Sequence, residues 1–154
     1  MPPPNAVRNA QLQALDPFVG RWRQEIRWSQ ATHRLVGGPP SVRMSVSFEW
    51  IEDGDFLIHR AGGGGGPSAR WIIGPDDTTG EYGALYADDR GVSRVYGMSL
   101  ERGVWRLWRD APGFRQRFAG TFNAAQTLIE ATWEKAAGDD DWALDFEITY
   151  EKAA

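Results

Sequence analysis

The sequence predicts an all-β protein: a closed, antiparallel, up-and-down barrel of about ten strands with a short N-terminal helix. Three observations predict it. Segments with a period of two recur along the chain, and the stretches between them are short and rich in turn formers. Eight tryptophans in 154 residues call for a thick core or a lined cavity. A meander of strands has two edges open to pairing with other chains, and closure removes both.

The elements follow in order. Residues 1–5, Met-Pro-Pro-Pro-Asn, form a flexible lead, and a single domain runs over 6–152. Residues 6–15 read as a short helix stopped by Asp16-Pro17, because the residue before proline is pushed out of the helical region. After Gly20, the side chains of Trp22, Gln24, Ile26 and Trp28 share one face of a strand, and Arg21, Arg23, Glu25 and Arg27 the other. Residues 29–40 read as a loop ending in Gly37-Gly38-Pro39-Pro40. In 41–51, Val42, Met44, Val46, Phe48 and Trp50 alternate with Arg43, Ser45, Ser47 and Glu49. Asp53-Gly54 makes the turn into a strand over 56–61. The glycine run 62–66 reads as a mobile loop, either a flap over the barrel mouth or a simple expansion. Further strands are expected at 69–73, 81–87, 92–100, 104–109, 114–122, 127–135 and 142–152, with turn residues between them.

Alternation assigns the inward side chains of the later strands: Trp71 and Ile73, Tyr82, Ala84 and Tyr86, Tyr96 and Met98, Phe114, Phe118 and Phe122. It adds Ile129, Trp133, Trp142, Leu144, Phe146, Ile148 and Tyr150. In 104–109 both faces carry tryptophan, so either Arg106 and Trp108 or Trp105 and Leu107 point in.

Bulk properties exclude several classes. A net charge of −4 with scattered basic residues argues against nucleic acid as a partner. The absence of cysteine excludes disulfides, zinc-thiolate sites and a cysteine nucleophile. The N-terminus lacks the basic and apolar regions of a signal peptide, and no apolar run is long enough to span a bilayer. A cytoplasmic protein with no membrane partner is the expectation.

Gly20-Arg21-Trp22 near the start and Tyr150-Glu151-Lys152 at the end resemble the lipocalin-like (calycin) barrels. Those open with a Gly-x-Trp strand and end with a basic residue that packs over the tryptophan. Lys152 is the nearest candidate for that role, with Arg21 and Arg23 as rivals. The tail is similar to small uncharacterised bacterial proteins of that superfamily. The stretches concerned are Arg-Phe-Ala-Gly-Thr-Phe at 117–122, Thr-Trp-Glu-Lys at 132–135, Asp-Asp-Asp-Trp at 139–142 and Asp-Phe-Glu-Ile-Thr-Tyr at 145–150. The resemblance implies a pocket for an apolar molecule without identifying it.

The expected function is binding of a small apolar or aromatic ligand inside the barrel. Its candidate ligand-binding residues are Trp28, Trp50, Trp71, Tyr82, Arg94, Tyr96, Arg106, Trp108, Gln116 and Phe118. The alternative is a cofactor-independent isomerase or cyclase, with His59, Arg60 or Tyr96 as acid, base or oxyanion stabiliser. Neighbouring positions in a strand face opposite ways, so either His59 or Arg60 faces the cavity. A third reading is a barrel that forms a homodimer through its surface. No metal and no cofactor are expected. Haem is the one group weighed against that, because nitrobindins are barrels of this type and His59 is the only strand histidine able to hold iron. The glycine-rich opening of nitrobindins is absent after Trp22.

Overall fold

The structure is a computed structural model that describes residues 10–62 and 68–153. The expected lead at 1–5, the first part (6–9) of the expected helix and most of the glycine run lie outside the described residues. Ten antiparallel strands form one closed barrel: β1 (Gly20–Trp28), β2 (Ser41–Ile51), β3 (Phe56–Ala61), β4 (Ala69–Pro75), β5 (Tyr82–Asp88), β6 (Ser93–Glu101), β7 (Val104–Arg109), β8 (Arg115–Phe122), β9 (Leu128–Ala136) and β10 (Ala143–Lys152). Each strand pairs with its neighbours in sequence. β1 closes on β10 in a register running from Trp22–Lys152 to Trp28–Phe146.

One end of the barrel, the base, carries the short helix α1 (Ala10–Gln13) and a 3-10 turn over Asp16–Phe18. Pro17 at the start of that turn fixes the bend, and Phe18 drops into the barrel. Its ring meets Phe48, Trp105 and Phe122 at centroid distances of 5.0, 4.8 and 5.1 Å. The buried Trp22 Nε1 donates to the Phe18 carbonyl at 2.8 Å. The Lys152 ammonium lies 5.2 Å from the Trp22 ring, so Lys152 is the basic residue that covers this tryptophan. Gly20 is needed twice over. Its φ is +136°, and a Cβ there would stand 3.2 Å from Lys152 Cε.

At the other end, the mouth, a helix replaces the loop expected at 29–40. In α2 (Gln30–Val36), Ser29 Oγ accepts from the Thr32 N–H at 3.2 Å and Gly37 ends the helix at φ +71°. A serine N-cap and a glycine terminator outweigh a stretch of ordinary propensity. α2 is tied to the barrel by Thr32, whose hydroxyl donates to Asp145 Oδ1 at 2.7 Å and accepts from Lys135 Nζ at 3.1 Å. Thr32→Val is expected to cost about 1–3 kcal/mol, because it leaves the part-buried Asp145 and Lys135 short of a partner. Equilibrium denaturation checks this, and no measurable loss would mean that the tether does not bear on stability.

Two register effects correct the sequence reading. β10 is bulged between Leu144 and Phe146, and a bulge shifts the side-chain alternation by one. Leu144 is therefore 39% exposed, and Asp145 is tucked in towards Thr32 and Lys135. Trp142 lies before the strand, with the Arg115 and Arg117 guanidiniums 5.0 and 4.1 Å from its ring. In β7 it is Trp105 and Leu107 that are buried, while Arg106 and Trp108 point outward.

Candidate functional site

Ring packing fills the base half of the barrel. Phe48, Trp105, Phe118, Tyr150 and Ile129 are all at most 4% exposed. Accessible inward-facing aromatic surface concentrates at the mouth, where Trp28, Trp71, Tyr86 and Phe146 are half-buried. Trp71 is the centre of this group. Its ring lies 4.9 Å from both Tyr86 and Tyr96 and 6.3 Å, nearly parallel, from Trp133. Trp133 continues the layer to Phe118 at 5.0 Å and Phe146 at 6.2 Å, and Phe146 meets Trp28 at 5.1 Å.

Above this aromatic floor stand polar groups from β5 to β8. The buried Tyr96 hydroxyl donates to Gln116 Oε1 at 2.7 Å. Burial pushes the Tyr96 phenol above its ordinary pKa, and Arg94 and Arg109 oppose that shift by facing it. The Arg94 guanidinium also lies 5.3 Å from the Phe114 ring. Neither Arg94 nor Arg109 makes an ion pair among the described residues. Their neighbours at the mouth do: Arg90 with Asp88 at 2.6 Å, Arg115 with Asp110 at 2.8 Å and Lys135 with Asp145 at 3.3 Å. The Tyr86 hydroxyl donates to Asp88 at 2.6 Å. Burial raises its pKa to about 12, helped by that carboxylate, while Arg90 holds Asp88 below the usual carboxylate range.

His59 faces in and Arg60 out, which settles the pair left open by the sequence. The β2–β3 register sets His59 beside Phe48, and the β3–β4 register sets it beside Trp71. Arg60 is exposed and bonded to Glu49 at 3.1 Å. The His59 ring is 3% exposed, stacked on Phe48 at 4.0 Å, with Tyr150 edge-on at 6.1 Å. Its Nδ1–H donates to the Ser47 carbonyl at 3.0 Å, which leaves Nε2 as the bare nitrogen. Burial pulls its pKa down to about 4, with the Ser47 bond opposing weakly, so the ring is neutral at pH 7. Phe48 covers a face of the imidazole, and Nε2 is the ring nitrogen through which His59 would hold the iron of a haem. Among the described residues no group of three or more His, Cys, Asp or Glu is placed to hold a metal ion.

The remaining candidates divide by position. Trp71, Arg94, Tyr96, Gln116 and Phe118 come together, and Trp28 joins them at the mouth through Phe146. Tyr82 belongs to the base, where its hydroxyl donates to the Gln11 carbonyl at 2.6 Å, and Trp50 pairs with Leu57 near the same end. Arg106 and Trp108 are on the outer wall, for the reason of parity given above. The sequence reading did not single out Tyr86, Arg109 or Trp133 as site residues. Tyr86 and Trp133 already carried inward parity, and Arg109 follows once Trp105 and Leu107 are placed inside. Deeper in, the buried Gln24 Oε1 has no hydrogen-bond partner among the described residues. A cleft of about 460 Å³ lies outside the base, against Pro17, Leu100, Arg102 and Phe122, and none of the mouth residues lines it.

No family model matches this chain, and no curated protein matches it. Among solved structures, the crystal structure of Rv2717c from M. tuberculosis is similar, with a TM-score of 0.63 at 13% identity. The likeness covers 96% of this chain and all (100%) of that one. At that identity it shows the barrel fold alone. No helix among the described residues is long and apolar enough to cross a membrane.

Proposed function

We propose that this is a lipocalin-like binding protein that holds a small molecule with an aromatic or apolar body and an anionic end at the barrel mouth. The observation that carries the reading is the pair Arg94 and Arg109, inward-facing guanidiniums without a counter-ion among the described residues, beside an aromatic floor. Half-buried cations are costly to leave uncompensated, and a carboxylate answers them with charge-assisted, bidentate bonds. Trp71, Tyr86 and Trp133 supply stacking surface below, and Gln116 and Tyr96 supply orienting hydrogen bonds.

Tryptophan fluorescence titration with naphthalene-2-carboxylate and naphthalene-2-carboxamide tests this. The carboxylate is expected to bind at least about tenfold more tightly, and Arg94→Gln or Arg109→Gln to remove that preference while sparing the amide, as charged hydrogen bonds are worth about 1.5–3 kcal/mol. Equal binding of acid and amide by the unmodified protein would end the proposal. The isomerase reading needs a base that titrates near neutrality. His59, at about 4 and locked to Ser47, is a weak one, so binding is the function the site supports best.

A further inference from the structure

The outer wall of the barrel is divided. Over β8, β9, β10, β1 and β2 it is laced with ion pairs such as Arg117–Glu134 at 2.9 Å, Arg43–Glu25 at 3.1 Å and Arg27–Glu147 at 3.4 Å. Over β3 to β7 two uncharged rows cross it, flanked by Arg60 and Arg70 on the mouth side and Arg106 on the base side. Register places Ile58, Ile72, Leu85 and Val95 side by side on successive strands. Ile72, Leu85 and Val95 are 41%, 43% and 71% exposed, while Ile58 at the edge of the row is buried at 6%. Two residues towards the base runs a second row: Phe56, Gly74, Gly83, Gly97 and Trp108. The wall of a closed barrel that meets only water has no reason to be built this way.

The glycines sharpen the point. Gly97 is explained within the chain, because the Trp108 indole lies where its Cβ would be. Gly83 is not. It takes no positive φ, and a Cβ on it would meet nothing within 4 Å. Gly74 is nearly as open, with Phe56 Cβ at 3.9 Å. Glycine inside a strand weakens it and often marks the close approach of another backbone.

We propose that this wall is the interface of a homodimer, two copies packed face to face about a two-fold axis that crosses the strands between the two rows. That operation lays the aliphatic row of one copy into the glycine row of the other: Leu85 over the partner's Gly83, Ile72 over the partner's Gly74. Ridge meets groove on both sides of the axis, as an isologous contact requires. Charge agrees independently. Arg70, exposed and without an ion pair among the described residues, borders the patch on the mouth side of β4. Asp76, whose carboxylate accepts from the Thr78 and Thr79 N–H groups, and Glu81, whose backbone carbonyl accepts from the Asp76 N–H, border it on the base side. The same axis sets Arg70 against the partner's Asp76 and Glu81, twice. From strand and residue spacings the footprint is on the order of 20 by 20 Å. At about 400 Å² per partner, or about 800 Å² in all, it is the size of a weak, transient association.

Sedimentation velocity from about 1 to 500 μM tests it. The weight-average mass is expected to climb from 17.2 kDa towards twice that value. Gly83→Val is expected to abolish the climb while raising the unfolding midpoint, since a β-branched side chain suits an open strand position. Arg70→Glu is expected to weaken association at least about tenfold, and adding Glu81→Arg to restore it. A mass that stays at 17.2 kDa throughout would overturn the proposal, as would a Gly83→Val protein that dimerises as tightly as the parent. Co-sedimentation of a strictly monomeric protein with phosphatidylcholine–phosphatidylglycerol vesicles would assign the wall to lipid and equally overturn it.

Discussion

Trp22→Ala is expected to lower the unfolding free energy by about 3–5 kcal/mol, the range for emptying a well-packed aromatic site. The ring is 1% exposed and contacts Phe122 at 6.3 Å. Its loss also frees the Phe18 carbonyl and strips the surface under Lys152. Because Phe18 contacts Phe48, Trp105 and Phe122, a cavity at Trp22 adjoins the whole base layer, and little can collapse into it. Guanidinium denaturation reads the change as a shift in midpoint at constant slope. Trp22→Phe, which keeps a ring but loses the Nε1–H bond, is expected to cost roughly 1–2 kcal/mol. Equal losses for the two variants would show that the hydrogen bond, not the filling of the base, is what matters.

The second large effect is a dependence of stability on pH that belongs to His59. Its pKa falls from 6.5 to about 4 on burial, so the unfolded chain binds more protons between those values. Stability from this group is complete above pH 6.5, declines as pH drops towards 4, and changes no further once both states are protonated. A shift of this size is worth on the order of 3 kcal/mol. Measuring unfolding free energy from pH 7.5 to 4 in the parent and in His59→Gln isolates it, since the carboxylates titrate in both. The difference between the two proteins is expected to shrink as pH falls. A parallel pair of curves would place His59 in contact with water.

Where side chains alternate cleanly, as from Val42 to Trp50, strand and face were both legible in the sequence, because one wall is apolar and the other polar. The rule failed where the outer wall is apolar too. Val104, Trp105, Leu107 and Trp108 offer grease to both sides, and only pairing with Gly120 and Phe118 puts Trp105 and Leu107 inside. His59 and Arg60 are adjacent, so their faces depended on register with Phe48 and Trp71, which no local pattern encodes. The bulge at Leu144 is a non-local accommodation of β10 to β9, and it inverted Trp142 and Leu144 without any signal from glycine or proline. The signals for α2 were present in Ser29 and Gly37 but were masked by the Gly-Gly-Pro-Pro that follows. Half of the candidate site was legible as inward aromatics; that Arg94 and Arg109 make no ion pair among the described residues was not, since it depends on where every nearby carboxylate went.

The seam between β1 and β10 has a consequence for how the molecule is made. The Arg21 carbonyl accepts from the Ala153 N–H at 2.9 Å, so the two sides of that seam come from opposite ends of the domain. A ribosome must have delivered everything through Lys152 before β1 can find its second neighbour. Until then β1 and β9 are bare edges and the indole of Trp22 has no lysine over it, a state open to pairing with other nascent chains. Long-range closure of this kind is slow, because the loop entropy is lost before the last ladder forms. The window in which the cell must shield this chain therefore closes with its final strand.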